Sequence, residues 1–150
     1  MTRPRLLTLV VLGITCSVFS TLCEATSKRI RVTAQVVQQT FIGDPASPRL
    51  GDRRITNVDL LDESGIRVGT GGASCTVVSV PPLDTLEQCL LTAVFVDGQL
   101  IFGGLAPSPE VGDTGRFGIL GGTDDFRDAR GEATLVATTT EIIDVTFDLD

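Results

Sequence analysis

The sequence predicts an all-β chain, either a sandwich or a closed antiparallel barrel, on three observations. Apolar and polar residues alternate with a period of two in eight or nine short runs. Turn signals rich in Gly, Pro and Asp separate those runs. No stretch carries a convincing helical period. Composition leans the same way: 16 of the 150 residues are Gly, Lys28 is the single lysine, and β-branched residues are common.

Ahead of the strands, residues 1–25 read as a secretory signal peptide. Arg3 and Arg5 form a basic start, an apolar run extends from Leu6 to Leu22, and Cys23-Glu24-Ala25 ends it with small residues at −3 and −1. Cleavage after Ala25 leaves 26–150 as one domain, secreted to the cell exterior or periplasm. An uncleaved anchor is the alternative, at the lower length limit for spanning a bilayer. Removing Arg3, Arg5 and Glu24 moves the formal charge from −7 to −8. The cleaved chain then has no attraction for an anionic membrane surface.

The first strand is marked by Ile30, Val32, Ala34 and Val36, which alternate with polar residues before the phase switches towards Phe41. Further runs follow at Ile55–Leu61, Ile66–Thr70, Ser74–Val80, Cys89–Val96, Leu100–Leu105, Phe117–Leu120, Ala133–Thr140 and Ile142–Leu149. The last is the clearest, with Ile143, Val145, Phe147 and Leu149 on one face. Asp97-Gly98, between two apolar runs, is the strongest hairpin signal. Residues 43–52 and 106–115 are the two long loops, and binding residues concentrate on such loops.

Cys75 and Cys89 are the cysteines left after cleavage, in an oxidising compartment. A hairpin turning at Pro81-Pro82 sets them opposite each other, where a cross-strand disulfide can form.

The inventory excludes several function classes. With no histidine, neither a Ser-His-Asp nor a Cys-His nucleophile system is available, nor a His-ligated metal. The acidic balance, 19 Asp+Glu against 12 Lys+Arg, opposes nucleic-acid binding. With no Trp and no Tyr, only Phe can form a stacking platform.

One resemblance carries the reading further. Leu60 to Thr70 forms a strand, a turn at Gly65 and a second strand, followed by Cys75-Thr76-Val77-Val78, Glu87-Gln88-Cys89 and Gly98 to Gly104. Then come Gly121-Gly122-Thr123-Asp124, Phe126 and Ala129-Arg130-Gly131. Over roughly 53–147 this order resembles the allene oxide cyclase barrel superfamily, which includes the dirigent proteins. Asp124 departs from the pattern, standing where the family usually has a third glycine.

The resemblance implies an eight-stranded antiparallel β-barrel with an apolar cavity, often a homotrimer. It implies a small hydrophobic ligand held without cofactor or metal, its cyclisation or coupling guided by the barrel. A non-catalytic carrier or structural barrel is the alternative.

Candidate site residues follow. Asp59, within an apolar strand, would be a general acid or base if it pointed inward. Arg130 would meet an anionic or carbonyl group at the barrel mouth. Equally, Arg127 and Arg130 would form an ion-pair network with Asp124, Asp125, Asp128 and Glu132. Phe95 and Phe102, flanking the Asp97-Gly98 turn, would wall the cavity or pack the core. Glu87 reads as a loop-end carboxylate.

Overall fold

The computed structural model describes residues 27–108 and 110–150. Eight strands run in chain order: β1 (Lys28–Ile42), β2 (Arg53–Leu61), β3 (Arg67–Ser79), β4 (Leu86–Phe95), β5 (Gly98–Pro107), β6 (Thr114–Gly122), β7 (Gly131–Ala137) and β8 (Ile142–Leu149). Each pairs antiparallel with its neighbours, and β8 returns to β1, closing the sheet into an eight-stranded antiparallel barrel. The expected signal peptide lies outside the described residues.

Alternation decides which side chains enter the barrel. On β8, Val145, Phe147 and Leu149 are buried as the pattern requires, Asp144 just before them is exposed, and Thr146 and Asp148 between them are half-buried. On β1 the phase switch has a physical cause: a bulge between Val36 and Gln38 turns Val37 outward and brings Gln39 onto the inner face. The runs read separately at 66–70 and 74–80 are one strand, β3, continuous through Gly71-Gly72-Ala73. Asp97-Gly98 makes the β4–β5 hairpin, with Phe95 opposite Gly98.

Because the strands alternate in direction, the connections fall at two ends. Loops 43–52, 80–85, 110–113 and 138–141 share one rim; those after β2, β4 and β6 share the other. The second end is closed by a single 3-10 turn, Asp124–Phe126, which inserts Phe126 at 4% exposure. Two glycines let it sit there. A Cβ on Gly122 would meet Gln99 O at 2.2 Å, and one on Gly131 would meet Asp148 O at 2.0 Å. Asp124 adopts φ 50°, a positive φ reached without glycine. Thr123 locks the turn: its N–H donates to Gln99 O (3.0 Å), and its Oγ1 accepts from Gln99 N (3.2 Å).

Candidate functional site

The small side chains that alternate into the barrel do not fill it. A cavity of about 480 Å³ remains, opening between the rim loops. Its lower wall is apolar: Ala34 and Leu60 from β1 and β2, Leu91 and Ala93 from β4, and a group of aromatic rings. Phe102 meets Phe147 at 5.2 Å and Phe117 at 6.4 Å between centroids, both edge-on. Below them Phe95 links Phe147 (6.3 Å) to the plug residue Phe126 (5.8 Å). The hollow thus has a hydrophobic floor and one entrance.

Polar groups gather in the upper wall. β2 presents Arg54, Thr56, Val58 and Leu60 inward, in order from rim to base. Gln39 donates through Nε2 to Thr56 Oγ1 at 3.3 Å. Arg54 lies across from Cys75, which lies across from Cys89, so three strands place them in one row. The two cysteines form a disulfide that is part of the cavity wall.

Glu87 stands two residues nearer the rim than Cys89, on the same inward face, and is 2% exposed. Its Oε2 accepts a hydrogen bond from Arg54 Nη2, and its Oε1 accepts one from Ser108 Oγ at 3.0 Å. The Arg54 side chain is 16% exposed and borders the cavity, while Glu87 sits behind it. Two further carboxylates, Glu110 and Asp113, line the entrance. A carboxylate this buried persists only with its counter-charge and hydrogen bonds in place.

Four expectations are corrected by this geometry. Asp59 faces outward with Ile55 and Asn57 and pairs with Arg67 (2.9 Å), because β2 turns its other face to the interior. It does not border the cavity. Arg130 is exposed at the closed end, donating to Ala129 O at 2.8 Å, so it cannot reach the mouth. The ion-pair network around it does not form among the described residues: Glu132 instead reaches Arg116 across β6–β7 at 3.5 Å. Phe102 borders the cavity, whereas Phe95 packs beneath it.

Glu87 and Arg54 are the residues missed from sequence. The sequence signal was the face: Arg54 shares a phase with Thr56, Val58 and Leu60, whereas Asp59 shares one with Asn57. The ligand atoms of Cys75, Glu87 and Cys89 lie within 4.8 Å of one another, but the disulfide withholds the thiolates a metal would need.

The family described as the allene oxide cyclase barrel like domain matches residues 30–148. The chain belongs to this allene oxide cyclase barrel like family. Three solved structures share its fold. A pyocyanin demethylase is 23% identical, with TM-score 0.74, covering 82% of this chain and 100% of its own. AbnU, an exo-specific intermolecular Diels-Alderase, is 15% identical, with TM-score 0.67, covering 81% and 98%. The Diels-Alderase AbmU from Streptomyces koyangensis is 17% identical, with TM-score 0.68, covering 81% and 63%. No curated protein matches the sequence. In this member of the family the barrel base carries the Gly-Gly-Thr-Asp and Ala-Arg-Gly segments, and the polar groups sit at the opposite end. Among the described residues no helix is long and apolar enough to cross a membrane.

Proposed function

We propose that this barrel takes one small hydrophobic molecule into its hollow and guides its cyclisation or coupling. The carrying observation is the cavity itself: about 480 Å³, mostly apolar, entered from one rim and sealed at the other by Phe126. Such a space selects a folded shape of a flexible substrate and excludes water from it. The chemistry would rest on confinement, with Arg54 as the one cation in the wall among the described residues. In support, Diels-Alderases share the fold. On this reading the protein acts after export, its first 25 residues removed. It assembles through the outer wall, where Leu90, Leu105 and Leu120 are exposed.

The test fills the hollow. Ala73 lines the cavity and carries almost no side chain, so Ala73→Phe adds a ring to the space without replacing any polar side chain of the wall. Titration with small lipophilic compounds, read by native mass spectrometry, is expected to show one bound molecule per chain, lost in Ala73→Phe. Equal binding by both proteins would place any ligand elsewhere and end this proposal. Bound compound recovered unchanged from every cyclisation assay would favour a carrier over an enzyme.

A further inference from the structure

The upper wall tells what kind of molecule fits, and this inference rests on the ligand-binding reading above. Arg54 has five N–H donors, and only Nη2 is engaged by a protein acceptor among the described residues, namely Glu87. No fully buried polar side-chain atom there lacks a partner. The guanidinium nitrogens without a protein acceptor are therefore open to solvent, on a side chain that borders the cavity. A ligand whose apolar body lies among Phe102, Phe117 and Phe147 would bring its upper end to these donors.

Charge decides which acceptor they suit. Glu87 neutralises Arg54 at contact distance, and Glu110 and Asp113 add two negative charges at the entrance. A carboxylate entering this mouth would meet net negative charge, and its own desolvation would be uncompensated. A neutral oxygen acceptor meets none of that penalty and still gains a charge-assisted hydrogen bond. We infer that Arg54, held in place by Glu87, is a recognition residue for a neutral carbonyl group, so the ligand class is apolar ketones, enones or quinones rather than fatty or aromatic acids.

Three probes of one shape separate the possibilities: 2-acetylnaphthalene, 2-naphthoate and 2-ethylnaphthalene. Equilibrium dialysis reads them by naphthalene absorbance, where a chain lacking Trp and Tyr contributes little. Arg54→Met with Glu87→Met removes both charges together, and circular dichroism verifies the fold. The ketone is expected to lose about tenfold in affinity in the double variant, as a hydrogen bond to a charged donor warrants. The hydrocarbon should be unchanged, and naphthoate should bind the native protein more weakly than the ketone. The infrared carbonyl stretch of the bound ketone should fall in the native protein and not in the variant.

Tightest binding of naphthoate, abolished in the variant, would overturn the inference in favour of an anion site. Ketone affinity and carbonyl stretch indifferent to the variant would overturn the role of Arg54 while leaving the ligand-binding reading standing. Failure of all three probes to bind would overturn both.

Discussion

Removing one charge of the Arg54–Glu87 pair should harm the fold far more than removing both. Glu87 is 2% exposed and Arg54 is 16% exposed, so Arg54→Met strands a carboxylate that water cannot reach. Breaking a buried pair from one side costs about 3–5 kcal/mol. The cavity beside Arg54 admits some solvent, which argues for the lower end, about 3 kcal/mol. For a domain of this size, 1 kcal/mol lowers Tm by roughly 3–5 °C, so the single variant should melt about 10–15 °C early. Arg54→Met with Glu87→Met deletes the stranded charge. Only Ser108 then loses a partner, so the double variant should recover most of the loss. Thermal melts followed by far-UV circular dichroism give all the corners of the cycle once Glu87→Met is added. Losses that simply add would show that the two side chains do not depend on each other. The reasoning about a buried pair would then be wrong.

Three further outcomes are expected. Phe126→Ala removes the barrel's plug and should cost about 3–5 kcal/mol, seen as an early melt; an unchanged Tm would mean the closed end is not held by that ring. Reducing Cys75–Cys89 should cost about 3 kcal/mol in the chain-entropy picture, so the melt should drop with reductant present; identical melts would argue against the bridge. Asp59→Asn breaks only an exposed pair with Arg67, so stability should fall by less than about 1 kcal/mol and probe affinity should hold; a lost ligand would return Asp59 to the site.

The strand pattern was legible because one buried face imposes a period of two, and β8 shows it without interruption. Two features blurred it. The bulge after Val36 shifts the phase within β1, and the glycines of β3 leave a gap in the hydrophobic signal that looks like a turn. The site was harder for a different reason. On β4 the inward set is Glu87, Cys89, Leu91 and Ala93, and the outward set is Gln88, Leu90, Thr92 and Val94. Three of the four inward residues and two of the four outward ones are apolar, too small a contrast for alternation alone to turn Glu87 inward. Its partner lies 33 residues away on β2, and the pairing of β2 and β4 with the two edges of β3 brings them together. Asp59 drew attention because its neighbours in sequence are apolar, yet a strand's sequence neighbours point the other way.

The most recognisable segment of the chain and its polar cavity wall lie at opposite ends of the barrel. Gly121 to Gly131 folds the turn that seals the base, where Gly122 and Gly131 are explained by backbone contacts at Gln99 and Asp148, and Gly121 by its positive φ, rather than by any ligand. Similarity in that segment therefore reports that the barrel closes, and says little about what enters it. What enters is decided by alternate residues spread over all eight strands, each separated from the next by an outward residue under no such constraint. Such a wall can change its chemistry while every turn and glycine stays in place. Structures named for demethylation and for Diels-Alder addition can accordingly share this fold at 15–23% identity. For this chain the informative comparison is consequently of wall positions 54, 56, 87 and 102, not of the motif at 121–131.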